Sequence, residues 1–122
     1  MCADASRRNW RIRLQDILEC ISKIQTYTNG MTLEQFEKDS LRVDAVIRNF
    51  EIIGEAASQI PTEIQRKYPD LAWFEMRGMR NLMVHEYFGV SLPIIWHTIR
   101  HDLQPLADDL IEILEEQESP TS

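Results

Sequence analysis

The apolar residues of this chain recur at helical spacing along most of its length. The first stripe returns every three or four residues, which places its members on one face of an amphipathic helix. It consists of Trp10, Leu14, Ile17, Ile21 and Ile24. A second stripe consists of Val43, Val46, Ile47, Phe50, Ile53, Ala57 and Ile60, and a third of Ile95, Ile99, Leu103, Leu106, Leu110, Ile113 and Leu114. The pattern predicts three long helices, each with one face against a common core.

Turn and cap residues separate these stripes. Asp4 or Ser6 is a candidate cap for the first helix, and Asn29-Gly30 is typical of its end. Thr32 followed by Gln35 is a capping-box pattern, which predicts a short helix near residues 33–38.

The later boundaries follow the same rules. Asp39 can cap the second long helix, and a further short helix is expected over residues 62–68. Asp70 is a candidate cap for helix resuming at Leu71, and Ser91 for the last helix. Pro105 falls inside that last helix and removes a backbone donor, so a kink is predicted just before it.

Two glycines lie inside helical pattern. Gly54 weakens helix propensity by roughly 1 kcal/mol relative to alanine, so it predicts the close approach of a neighbouring helix. Gly78 predicts either a kink or another close approach. Taken together, the elements predict an all-α protein: an antiparallel bundle of three long and two or three short helices. Residues 1–122 are expected to form one domain, with a core over about 7–114 and flexible termini.

Composition narrows the function. The net charge of −7 and pI of 4.9 argue against a broad basic face for nucleic acid, but they leave room for a local positive site. Arg7, Arg8, Arg11 and Arg13 form either such a patch or a solvated face. Two cysteines predict no disulfide framework or metal site. No signal peptide or membrane span is indicated, so a cytoplasmic protein is expected.

The stretch from Arg80 to Tyr87 carries the candidate chemistry. Arg80 can hold a phosphate through two donors, and His85 can exchange a proton near neutral pH. Asn81 can orient the imidazole or bind a phosphate oxygen, and Tyr87 adds a hydroxyl. On a helix, Arg80 and His85 lie about 140° apart, so one chain presents them imperfectly on one face.

Other readings of these residues stay open. An arginine on a helix is commonly solvated or paired with a carboxylate, here Glu75 or Glu86. A histidine on a helix is more often a partly buried residue with its hydrogen bonds satisfied than a catalyst. His97 and His101, with Asp102 beside them, have the i, i+4 spacing of metal ligands but lack a third ligand at a compelling spacing. Glu51 and Glu55 have the same spacing, without the Glu-x-x-His pattern of a di-metal site.

Several segments together resemble one family. Arg80-Asn81-x-x-x-His85-x-Tyr87 resembles the R-x4-H-x-Y motif of HepT-like toxins, in the HEPN superfamily of small helical ribonucleases. Ile53-Gly54-Glu55-Ala56 resembles the family's IGEA helix. The segments 73–79, 92–99 and 102–106 resemble its neighbouring helices, so the likeness covers about residues 8–114.

The resemblance implies a toxin of a two-gene toxin–antitoxin module that cleaves RNA, tRNA among the candidate targets, without a cofactor or metal. It implies that Arg80 and His85 are catalytic and that the enzyme is a homodimer; Asn81 is expected to support them, as its amide chemistry allows. The implied partner is an MntA-type nucleotidyltransferase antitoxin, which silences the toxin by transferring AMP to Tyr87. Two alternatives remain: a non-catalytic nucleotide- or partner-binding module that docks the transferase, and a metallohydrolase using His97 and His101.

Overall fold

A computed structural model describes residues 2–81 and 91–117, with side chains from 10 to 81 and from 91 to 116. The described part is all helical, as predicted. Its α-helices are α1 (Cys2–Thr28), α2 (Leu33–Glu37), α3 (Ser40–Ser58), α4 (Thr62–Lys67), α5 (Trp73–Gly78), α6 (Leu92–His97) and α7 (Leu103–Gln117). A 3₁₀ turn, Met79–Asn81, follows α5, and a π turn, Thr98–Asp102, joins α6 to α7. None of these helices is long and apolar enough to cross a membrane.

The three predicted stripes form one core. Helix α1 packs against α3 and α7, and α3 also packs against α5 and the 3₁₀ turn. Every predicted member is buried except Leu106, which is half-buried. Arg11 donates to the Leu114 carbonyl, and Arg100 donates to the Thr28 carbonyl, so the two ends of α1 meet opposite ends of the last helix. These contacts establish an antiparallel arrangement for that pair.

Most predicted caps are confirmed. Gly30 has a φ of +76°, the left-handed conformation that ends α1. Thr32 and Gln35 form both hydrogen bonds of the capping box. The Asp39 side chain accepts from the Arg42 backbone at the start of α3, and the Ser91 hydroxyl accepts from the Ile94 backbone at the start of α6.

Three boundaries differ from the prediction. Helix α1 begins at Cys2, ahead of both candidate caps, and α7 continues to Gln117. Helix α5 begins at Trp73 with Ala72 as its N-cap, and no side chain caps it, so the Asp70 prediction was wrong. The Trp73 side chain is buried, and its indole N–H donates to the carbonyl of Tyr68, five residues earlier in the chain.

The irregularity predicted before Pro105 is a π turn. The Leu103 backbone N–H donates to the Thr98 carbonyl, five residues back. Ile99 inside the turn and Leu103 after it are both buried. The wider turn therefore keeps the apolar stripe against the core on both sides of the proline.

Candidate active site

The structure places the beginning of the predicted motif in the 3₁₀ turn. Arg80 and Asn81 lie there, directly after α5, and both are exposed. His85, Glu86 and Tyr87 fall outside the described residues. Of the motif residues, the structure therefore describes only Arg80 and Asn81.

Gly54 fixes the position of Arg80. A β-carbon at residue 54 would lie 2.9 Å from the Arg80 Cα and closer still to its backbone nitrogen, a separation that real side chains do not tolerate. The 3₁₀ turn can reach α3 only because residue 54 has no side chain. The close approach predicted from Gly54 is confirmed, and its partner is the backbone of the candidate catalytic arginine. Gly78 has no such neighbour, and α5 ends there in the 3₁₀ turn.

The Arg80 guanidinium faces Glu55. Its Nη1 lies 3.8 Å from Glu55 Oε2, and both side chains are about half exposed, 51% and 58%. Glu75, considered from the sequence, is not its described partner. An exposed ion pair at this distance is weak, so the guanidinium stays available to another anion. Two adjacent residues of α3 thus contact Arg80: Gly54 packs against its backbone, and Glu55 pairs with its guanidinium.

A polar cleft of about 410 Å³ surrounds this pair. It lies between α1, the outer face of α3 and the 3₁₀ turn. Its charged lining consists of Arg13, Asp16, Arg48, Glu51, Glu55 and Arg80. Three arginines and three carboxylates leave the cleft close to neutral, on a protein whose net charge is −7. It is thus far less repulsive to an anion than the protein as a whole.

Most residues of this cleft were not predicted from the sequence as a site. From the sequence, Glu55 was a weak candidate metal ligand and part of the IGEA segment, Arg13 belonged to a basic run, and Arg48 was not singled out. The available signal was the spacing of Arg48, Ile52 and Glu55 along α3 and of Gln59 at its C-cap, which marks one helical face. Nothing local indicated that this face meets α1 and the 3₁₀ turn.

The candidate histidine pair gains no further ligand. The rings of His97 and His101 lie 4.4 Å apart, centroid to centroid, and both residues are exposed. Among the residues that the structure describes, no three His, Cys, Asp or Glu side chains are close enough together to hold a metal. The described geometry therefore gives the metallohydrolase reading no support.

Comparison with known proteins places the chain in a family. The model of the family "Ribonuclease HepT-like" matches residues 17–116. A "Probable ribonuclease HepT" from Thermococcus cleftensis is 39% identical over 100 residues, which is 82% of this chain and 91% of that protein. The "mRNA nuclease HepT" of Shewanella oneidensis is 28% identical over 117 residues, covering 75% of this chain and 86% of that protein.

A third relative is a longer protein. A Methanocaldococcus jannaschii protein named "Gamma-glutamylcyclotransferase and putative RNase" is 38% identical over 110 residues, or 90% of this chain, and the chain spans only 50% of its length. No solved structure matches the chain. The family match, its extent and the all-helical fold agree with the resemblance of the motif segments. The chain belongs to the ribonuclease HepT-like family of endoribonucleases, within the HEPN superfamily.

Proposed function

We propose that this protein is the RNA-cleaving toxin of a toxin–antitoxin module and that it works without a metal ion. The observation that carries the proposal is the position of Arg80. Its main chain is held against Gly54, while its guanidinium stays half exposed at the edge of the cleft. An arginine whose backbone is fixed and whose guanidinium group is exposed is suited to a phosphate that binds, reacts and leaves.

In the proposed reaction, a ribose 2′-hydroxyl oxygen attacks the adjacent phosphorus, and the bond to the 5′-oxygen breaks. His85 takes the hydroxyl proton as general base, and a general acid returns a proton to the leaving 5′-oxygen. Arg80 offsets the negative charge that grows on the non-bridging oxygens. Asn81, next to Arg80 in the 3₁₀ turn, supports the imidazole or a phosphate oxygen.

The decisive experiment incubates purified protein with total RNA and with tRNA, beside Arg80→Ala and His85→Ala variants. We expect cleavage that is lost in both variants and that persists in the presence of a chelator. Lys38→Gln, which changes an exposed residue of another face, should cleave like the parent. Equal cleavage by the parent and both alanine variants would refute the assigned roles.

Each chain supplies a single histidine in the R-x4-H motif, His85, although the reaction needs both a base and an acid. We propose a homodimer in which two copies of His85 divide these roles across a two-fold axis. Mixing His85→Ala chains with Arg80→Ala chains tests this arrangement. Heterodimers should differ in activity from either parent homodimer, and identical behaviour would contradict a shared site.

We propose Tyr87 as the control point of the module. An MntA-type nucleotidyltransferase antitoxin would transfer AMP to its hydroxyl, and the added anionic group would compete for Arg80 and obstruct the RNA. Tyr87→Phe should then cleave RNA normally and escape silencing by the transferase in the cytoplasm. Normal silencing of that variant would exclude Tyr87 as the target. A gene for such a transferase beside this one would support the pairing.

A non-catalytic binding module is the second candidate. The net charge of −7 favours it, because RNA must be attracted by a local site against the field of the whole protein. Its signature in the same experiment is salt-sensitive binding of RNA or nucleotide without cleavage.

A further inference from the structure

The polar cleft extends well beyond Arg80. Arg48 and Arg13 line it as well, and each of the three arginines faces a carboxylate. The nitrogen–oxygen distances are 3.8 Å for Arg80–Glu55, 2.5 Å for Arg48–Glu51 and 3.7 Å for Arg13–Asp16. Two of these pairs lie within one helix at i, i+3 spacing, and the Arg80–Glu55 pair joins the 3₁₀ turn to α3. The cleft therefore offers arginines at two positions that the proposed reaction does not use.

The two additional arginines are spaced away from the reacting phosphate. Arg48 and Glu55 are seven residues apart on α3, so they lie on the same face and about 10 Å apart along the helix axis. Arg13 reaches the cleft from α1 on its other side. Cations placed in this way can contact phosphates that neighbour the one held by Arg80.

All three ion pairs can open to solvent. The arginine side chains are 38% to 64% exposed, and such pairs contribute little to folding. A phosphate can therefore replace the carboxylate as the partner of an arginine without loss of the fold. The carboxylate then acts as a competitor of the phosphate, and not as an accessory to its binding.

We propose that the cleft between α1 and α3 is a binding track for single-stranded RNA, in which Arg48 and Arg13 hold phosphates flanking the one that is cleaved. The inference rests on the proposed ribonuclease function. Glu51 and Asp16 occupy these arginines in the free protein and weaken RNA binding. The described lining of the cleft contains no aromatic ring for base stacking, so the track contacts the backbone and is indifferent to base sequence.

The test measures binding of fluorescently labelled single-stranded RNA of mixed sequence to the 122-residue chain carrying His85→Ala, a change that should prevent cleavage. At about 100 mM salt, Arg48→Gln should weaken binding about three- to tenfold, because one phosphate contact is lost. Glu51→Gln should tighten binding about two- to fivefold, because the competitor of that phosphate is removed. Arg13→Gln and Asp16→Asn should change affinity in the same two directions.

The double variant Arg48→Gln/Glu51→Gln distinguishes a direct contact between Arg48 and a phosphate from an effect of the protein's net charge. Its net charge equals that of the parent, yet the track predicts weaker binding because the arginine is gone. Parent-like affinity of this double variant would overturn the proposed phosphate contact. Lys38→Gln removes one cation from an exposed ion pair elsewhere and should bind RNA like the parent. An Arg48→Gln effect no larger than that of Lys38→Gln would likewise overturn the proposal.

Failure of the track can be told apart from failure of the proposed function. Cleavage by the parent that is lost in the Arg80 and His85 variants, together with unchanged binding by Arg48→Gln, rejects the track alone. Absence of cleavage by the parent rejects the nuclease, and the binding measurements still decide the track. Thermal unfolding by circular dichroism should show that the single variants remain folded.

Discussion

At position 54 the chain carries a hydrogen atom where any other residue would place a carbon, and the backbone of Arg80 occupies that space. The sequence predicted a close neighbour for Gly54, because a glycine inside a helical stripe is unfavourable unless something needs the space. The sequence could not identify the neighbour, because the spacing of apolar residues shows which face of a helix is buried but not which segment packs against it.

Replacing Gly54 by alanine should harm both stability and activity. The added methyl group meets backbone, which cannot rotate away, so we expect a loss of about 1–3 kcal/mol in the free energy of unfolding. Cleavage should fall further than stability explains, because Arg80 is displaced. Urea denaturation and initial cleavage rates measure the two effects.

Gly78→Ala is the matched control for that substitution. A methyl group at residue 78 meets nothing within 4 Å, and Gly78 has no positive φ. The variant should be as stable as the parent or more stable, by up to about 1 kcal/mol. Equal losses in the Gly54 and Gly78 variants would refute the specific contact with Arg80.

Cys20 should be unreactive in the folded protein. It is buried on α1, and burial raises the pKa of its thiol, while nearby Lys23 opposes the shift and Glu19 and Asp16 reinforce it. In a Cys2→Ser background, a thiol reagent should react slowly with native protein and fully after denaturation. Rapid labelling of the native protein would contradict the burial of this side chain.

The same thiol links stability to pH. Because its folded pKa lies above the ordinary value of 9.0, its contribution to stability is complete below that value. The contribution is lost as pH rises through the folded pKa. Cys20→Ala should remove this part of the alkaline decline in unfolding free energy.

At the scale of the elements, caps were predicted well and tertiary anchors were not. The capping box of Thr32 and Gln35 is encoded within four residues, so the sequence alone reveals it. Helix α5 begins at Trp73, whose side chain is buried in the core, and Asp70 does not cap it. Arg100 was likewise missed as the link between α1 and the last helix, because its partners lie about seventy residues earlier.

Arg100→Gln should loosen that link. The guanidinium donates to the Thr28 and Met31 carbonyls at 3.0 and 2.8 Å and lies 4.3 Å over the Trp96 ring. We expect a loss of about 1–2 kcal/mol, since hydrogen bonds from a charged donor are strong but this residue is exposed. Lys23→Gln breaks an exposed pair within α1 and should cost less than about 0.5 kcal/mol. Thermal unfolding compares the two variants, and equal losses would contradict the link.

At the scale of the whole molecule, the fold was predictable and the cleft was not. Three apolar stripes at helical spacing are sufficient to indicate a bundle, because each must bury one face. The cleft joins residue 13, residues 48–59 and residue 80, and no local pattern connects segments so far apart in the sequence. The sequence identified Arg80 through its side-chain chemistry and the family resemblance, whereas the residues around it are known only from the structure.

Charge balance should give RNA binding a shallow salt dependence. With one to three phosphates contacted by Arg80, Arg48 and Arg13, the slope of log affinity against log salt should lie between about −0.7 and −2. Titrations of single-stranded RNA with the His85→Ala protein at several salt concentrations measure it. A much steeper slope would indicate a larger basic surface elsewhere.

The π turn at residues 98–102 has a consequence for comparing members of the family. A π turn accommodates one residue more than regular α-helix. This one lies between α6 and α7, both of which carry residues buried in the core. A relative that lacks one residue here could close the turn into ordinary helix and lose only the bulge. Alignments should therefore allow a single-residue gap at this point, inside a helix, where gaps are usually penalised most heavily.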